Sequence, residues 1–316
     1  MFDLLTLLIA AGGGFFGAAI GGLHAFIFTG FMVLVGSAII MAGGSPEFLN
    51  YVAFGPAFGP HIAFAGGVAA AAYAARQSKD VGGKDIGIAL VSMDRAAVLL
   101  VGAVFGVFGY IVQVGVALIP GFGSLTDSVA LTVFISAIVV RLAIGRSSLT
   151  GDLPEGSGWG RFAPRDGVAW IRYHERFGQL SVLSVFSGLL AAGVAVRLAG
   201  YYPDFAGSAH VLMFGVSAVS LLFLSLGISF PVTHHITIIA GLGAVSFLPV
   251  VGGNAVLAVL IGTICGLLSG LLGEVCARVF HNSGNTHFDP PAAAIWPMTL
   301  VVKGLAVLLG AGAGVG

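Results

Sequence analysis

The feature that most constrains the fold of this chain is a succession of long apolar stretches separated by short polar segments. An α-helix needs roughly 20 apolar residues to cross the hydrocarbon core of a bilayer. Ten stretches of that kind run over residues 3–21, 25–43, 59–76, 95–118, 127–144, 178–198, 208–227, 231–249, 254–278 and 290–313. The first two form one apolar run that we divide at Gly21-Gly22. The pattern predicts an all-α polytopic membrane protein with about ten transmembrane helices.

The composition also favours a bilayer environment. Charged residues make up 8% of the chain, whereas soluble domains average about 25%. The formal net charge is zero, so nothing indicates a nucleic-acid partner. We predict a multi-pass protein of the cell membrane that contacts the lipid bilayer and a small-molecule or ion substrate. A homo-oligomer is left open.

The basic residues are unevenly distributed among the polar segments. Residues 76–95, residues 141–176 and Arg278 together hold eleven of the 13 Lys and Arg residues. Under the positive-inside rule these segments face the cytoplasm. Both termini are therefore predicted on the non-cytoplasmic side, and residues 145–177 form a cytoplasmic linker. Arg141, near a cytoplasmic helix end, is expected to extend towards the lipid headgroups.

Similar motifs recur in the same order on the two sides of this linker. Residues 125–143 align with residues 287–305 without a gap, at an offset of 162. Residues 61–67 align with residues 235–241, also without a gap, at an offset of 174. The alignment pairs His61 with His235, Gly102 with Gly262, Gly106 with Gly266, Asp127 with Asp289, and His24 with His210. We therefore predict two repeats, residues 1–144 and 178–316, with five helices each.

An odd number of spans per repeat inverts the second half relative to the first. Inverted repeats are a recurrent transporter architecture whose substrate site lies near the midplane, at the repeat interface. In outline, two inverted five-helix halves resemble ammonium and urea channels. The chain carries no sequence signature of either family, so the resemblance implies neither a substrate nor site residues.

Histidines and prolines mark the predicted helix starts. His61 and His235 each follow a proline, and a helix N-terminus favours an anion or a neutral imidazole. Residues 44–60 are too apolar for a loop and too rich in Gly and Pro for a regular helix. They predict a broken or re-entrant helix start, which at membrane depth must be buried or line a cavity.

Ionisable residues inside spans are functional candidates because lipid disfavours them. Asp127 and Asp289 are also good N-cap residues, so helix capping alone would explain their presence. Glu274 and Lys303 are the deepest charged residues in the predicted spans. The predicted solute pathway consists of His24, His61, Asp127, His210, His234, His235, Glu274, Asp289 and Lys303.

The leading functional hypothesis is a transporter or channel for a small polar or singly charged, anionic solute. Histidines at the repeat interface would couple transport to protons. One alternative is a divalent-metal transporter with His281, His287 and Asp289 as candidate ligands.

A second alternative is an intramembrane enzyme or a lipid-handling protein. The sequence contains no HExxH, GxxxxGK[ST], GxSxG or CxxC motif, so we predict neither enzymatic activity nor a cofactor. Cys265 and Cys276 lie about 16 Å apart on a continuous helix, too far for a disulfide.

Overall fold

The computed structural model describes residues 3–165 and 167–311, and all regular secondary structure in these ranges is helical. The first half contains α1 (Leu4–Ile20), α2 (Gly22–Met41), α3 (Ala65–Ala74), α4 (Ala96–Ala117) and α5 (Ser128–Val139). The second contains α6 (Phe177–Tyr201), α7 (Val211–Ser225), α8 (His234–Phe247), α9 (Ala255–Cys276) and α10 (Pro290–Leu308). Each predicted stretch thus contains a helix. Residues 312–313, the end of the tenth stretch, lie outside the described ranges.

Five helices are long and apolar enough to cross a membrane by length and composition. They are Gly22–Met41, Ala96–Ala117, Phe177–Tyr201, Ala255–His281 and Pro290–Leu308. Four apolar helices are shorter, with 10–17 residues: Leu4–Ile20, Ser128–Ile144, Val211–Ser225 and His234–Phe247. The structure is therefore all-α and compatible with a membrane protein. Five of the ten predicted spans meet these criteria.

The predicted division at Gly21-Gly22 is confirmed. α1 ends at Ile20 and α2 begins at Gly22, with Gly21 at φ = +94° between them. Residues other than glycine rarely adopt that conformation. A Cβ at Gly21 would also lie only 2.7 Å from the carbonyl oxygen of Ile88. Glycine thus permits both the turn and the close approach of the 82–93 loop.

Several helices begin or end in π-helical turns. A π-helical segment, Phe48–Ala53, follows α2, and a second one, Pro60–Phe64, leads directly into α3. The expected break within residues 44–60 is thus present, although part of that segment is helical. α5 and α9 end in π-helical turns at Val140–Ile144 and Ala277–His281.

Helices at the same place in the order of the two halves pack against similar neighbours. α4 packs on α1 and α3, as α9 packs on α6 and α8, while α2 packs on α7 and α5 on α10 between the halves. A Cβ at Gly109 would collide with the His61 carbonyl. At the matching position, Ser269 Oγ donates to the His235 carbonyl at 2.8 Å.

Arg141 is fully buried, so the expectation that it extends towards the headgroups is wrong. Its guanidinium donates to Thr286 Oγ1 and to the carbonyl oxygens of Leu149, Phe280 and Thr286, at 2.7–3.0 Å. These acceptors belong to the linker and to the segment before α10. Arg141 therefore fastens the end of α5 to both.

Candidate functional site

A cavity of about 190 Å³ lies between the two halves, and we call it the central cavity. The first turns of α5, α7, α8 and α10 and the π-helical turn before α3 contribute to its wall. The starts of helices from both halves therefore meet at one site.

The wall of the central cavity contains residues from matching positions of the two halves. At the offset of 162 the pairs are Asp127 and Asp289, Ala130 and Ala292, and Val133 and Ile295; at the offset of 174 they are Pro60 and His234, and Phe64 and Ile238. Both offsets are those of the sequence alignment. These five pairs account for ten of the sixteen residues that line the cavity.

Two carboxylates in this wall cap helices. Asp127 Oδ1 accepts from the backbone N–H of Ala130 at 2.8 Å, at the start of α5. Asp289 Oδ2 accepts from the N–H of Ala292 at 2.8 Å, at the start of α10. Each cap satisfies one N–H group that the helix leaves unpaired. Carboxylate oxygens therefore border the cavity, which does not favour an anionic solute.

The other helix starts in the wall have no side-chain cap. His210 directly precedes α7, and His234 is the first residue of α8. In the described ranges, Nδ1 of each has no hydrogen-bond partner. His234 is only 4% exposed. A buried polar atom without a partner is costly, so a solute that bonds either Nδ1 atom would relieve that cost.

A second cavity of about 270 Å³ adjoins the first, and we call it the vestibule. Its wall includes Lys84, Trp170, His281 and His287. Four residues line both cavities and form what we call the partition: Phe26, Phe64, His234 and Asp289. The Phe26 ring lies 4.7 Å from the His234 ring and 5.7 Å from the Phe64 ring, between centroids. The two cavities are thus separated by single side chains.

The linker covers the vestibule. The backbone N–H of Trp170 donates to Asn282 Oδ1 at 2.9 Å, and Arg278 Nη2 donates to the Glu175 carbonyl at 2.8 Å. The hydroxyl of Tyr173 donates to the Phe230 carbonyl. Burial lowers the pKa of His174 to about 4, so its imidazole is neutral at pH 7.

Lys84 places a titratable charge at the vestibule. Its ammonium donates to the Asn282 carbonyl at 2.8 Å. Burial, with a smaller contribution from Arg141, lowers the pKa of Lys84 to about 8. The lysine is therefore partly neutral just above physiological pH.

The predicted pathway residues fall into two groups. Asp127, His210, His234 and Asp289 line the central cavity. His61 and His235 are buried but line neither cavity. The cavity is lined instead by Pro60 and His234, which directly precede the histidines that the sequence favoured.

The remaining predicted residues lie outside both cavities. His24 Nδ1 bonds the Ile20 carbonyl at 2.8 Å. Glu274 accepts from Arg278 at 2.8 Å in a buried ion pair. Lys303 Nζ lies 3.4 Å from the Ser124 carbonyl and interacts electrostatically with Asp127.

The candidate metal ligands lie together in the vestibule. The rings of His281 and His287 are 4.9 Å apart, and His287 Nε2 lies 3.6 Å from Asp289 Oδ1. However, within residues 3–165 and 167–311 no group of three or more His, Cys, Asp or Glu could hold a metal ion. Both cysteines are free, as expected.

Sequence reasoning missed several residues of the two cavities. Phe26 and Phe64 lie in apolar stretches where nothing distinguishes them from core residues. Lys84 and Trp170 lie in polar segments that the sequence describes only as cytoplasmic. The positive charge of Lys84 beside three glycines was the one available signal.

Comparison with known proteins identifies a family without a known function. No curated protein and no solved structure matches the chain. The family of unknown function DUF7973 matches it twice, over residues 1–164 and again over 162–313. Since the first match alone covers more than half of the chain, this protein belongs to the DUF7973 family.

Proposed function

We propose that this protein is a membrane transporter or channel for a small polar solute, with a path between two inverted five-helix halves. The observation that carries the proposal is the central cavity, whose wall takes matching positions from both halves. Substrate sites at the interface between repeats are typical of transporters built from inverted repeats.

The family matches support a duplicated chain. Two matches to one family profile meet at residues 162–164, within the predicted linker. The contacts of α1, α3 and α4 with one another recur in α6, α8 and α9. Five helices in each half would give the halves opposite orientations in the membrane.

The solute path would run from the vestibule through the partition into the central cavity. Phe26, Phe64, His234 and Asp289 separate the two spaces by one layer of side chains. Rotation of such side chains joins neighbouring cavities without a change of fold. His234, between the two cavities, is the residue best placed to couple transport to a proton.

The two alternatives have less support. A metal transporter needs several ligands around one point, and the described residues offer no such group. For an intramembrane enzyme, no nucleophile and base within hydrogen-bond reach of each other line the cavities in residues 3–165 and 167–311.

Solute flux in proteoliposomes tests the proposal. A panel of small polar solutes is assayed with the unaltered protein, His234→Ala and the milder His234→Gln. We expect both variants to reduce uptake, because His234 lines both cavities. His24→Ala is the matched control, since His24 lines neither. If no solute enters faster than in protein-free liposomes, or if His24→Ala impairs uptake as much as His234→Ala, the proposal is wrong.

A further inference from the structure

The wall of the central cavity combines acceptors and donors on different helices. Asp127 and Asp289, at the starts of α5 and α10, offer carboxylate oxygens. His210 and His234 lie at the starts of α7 and α8, which have no side-chain caps. Uncapped helix starts present N–H donors, and a neutral imidazole has one N–H donor and one acceptor nitrogen. The wall therefore offers both hydrogen-bond acceptors and donors.

A solute with a full charge of either sign would be repelled by part of this wall. A cation would face the partial positive charge at the uncapped starts of α7 and α8. An anion would face the carboxylates of Asp127 and Asp289. Lys303 interacts electrostatically with Asp127. A solute without net charge avoids both penalties.

The rest of the wall is apolar and aromatic. Phe26, Phe54, Phe64 and Phe214 line it, together with aliphatic side chains. In the described part of the chain no lysine or arginine lines this cavity. Transfer of an ion from water into such surroundings is costly unless the ion is fully paired. A dipolar or zwitterionic solute of zero net charge can pair each of its ends with the oppositely charged or polarised part of the wall.

We propose that the central cavity binds a small solute of zero net charge with N–H donors at one end and a carbonyl or carboxylate acceptor at the other. Its N–H groups bond Asp127 and Asp289, and its acceptor bonds His210, His234 and the starts of α7 and α8. Small amides and zwitterionic amino acids have this chemistry. The inference rests on the proposed function and specifies its substrate class.

Binding by four probes of similar size tests this directly. Thermal stability of the purified protein in detergent is titrated with acetamide, glycine, methylammonium and acetate. We expect acetamide or glycine to raise Tm with saturation, and neither methylammonium nor acetate to do so. Asp127→Asn and Asp289→Asn keep a capping oxygen. Each should weaken binding of the uncharged probe by about tenfold, the cost of one charge-assisted hydrogen bond.

The outcomes separate this inference from the proposed function. Saturable binding of methylammonium alone, or of acetate alone, would overturn the inference. So would undiminished binding of an uncharged probe in both Asp→Asn variants. If His234 variants reduce the flux of a charged solute and no uncharged solute is transported, the inference fails while the proposed function stands. Absence of all protein-dependent flux refutes the proposed function instead.

Discussion

The two halves contribute matching positions to the central cavity but have different access to it. In the second half, His234 and Asp289 line both the central cavity and the vestibule. Their counterparts in the first half, Pro60 and Asp127, line the central cavity alone. Phe26 and Phe64 of the first half also line both cavities, so the difference between the halves concerns the helix starts at Pro60, Asp127, His234 and Asp289.

This difference has a simple meaning under the proposed function. In an inverted repeat, the counterpart of the vestibule would lie beside Pro60 and Asp127, at the opposite end of the path. Alternating access exchanges one such opening for the other. We therefore interpret the structure as one of two states, in which a covered vestibule lies on the linker side and the partition separates it from the solute site.

The largest difference between the halves is expected at Arg141 and its counterpart Lys303. Arg141→Met would leave the carbonyls of Leu149, Phe280 and Thr286 without their buried donor. We expect a loss of about 3 kcal/mol or more of unfolding free energy. Lys303→Met removes one long hydrogen bond to Ser124 and the electrostatic interaction with Asp127, and should cost less, about 1 kcal/mol. Thermal unfolding in detergent measures both, and equal losses would contradict the contrast.

The difference in access is tested by the accessibility of Asp289 and Asp127 to a thiol reagent. Asp289→Cys and Asp127→Cys are prepared separately without the free thiols of Cys265 and Cys276. A membrane-impermeant reagent added from the linker side should modify position 289 at least about tenfold faster. That factor corresponds to an opening free energy of about 1.4 kcal/mol for the partition. Equal rates would show that the partition does not restrict access.

The smallest expected effect is a pH dependence of the protein's stability that arises from Lys84 in the vestibule. The pKa of Lys84 is about 8 in the folded protein and about 10.4 in an unfolded chain. Between these values the unfolded state binds more protons, so stability should rise with pH. The gain is small because Lys84 is only half-buried. Tm measured from pH 7.5 to 9.5 should rise less in Lys84→Met; an identical slope would exclude Lys84 as the source.

The sequence predicted the helices well and the cavity wall in part. Apolar stretches locate helices because a segment in contact with lipid must be apolar and must satisfy its backbone hydrogen bonds internally. Gly21-Gly22 marked the α1–α2 break because glycine alone adopts the required turn without strain. Asp127, Asp289, His210 and His234 were among the predicted pathway residues because polar residues in spans are rare.

The remaining site could not be predicted because it depends on contacts distant in sequence. A π-helical turn precedes α3, whereas α8 begins directly at His234, and in both helices the residue before the favoured histidine lines the cavity. Pro60 and His234 line the cavity where the sequence favoured His61 and His235. The burial of Arg141 depends on carbonyls from residues 149 and 280–286. No residue close to Arg141 in the sequence indicates those acceptors.

The linker joins the two halves and also closes the vestibule. Trp170 is bonded to Asn282, and Glu175 to Arg278, while Arg141 at the end of α5 is bonded to Leu149. The cover of the vestibule is thus attached to both halves. If the halves tilt relative to each other, the linker segment that covers the vestibule must move with them. Opening of the vestibule and tilting of the halves would then be one mechanical event, with the linker as the tether that couples them.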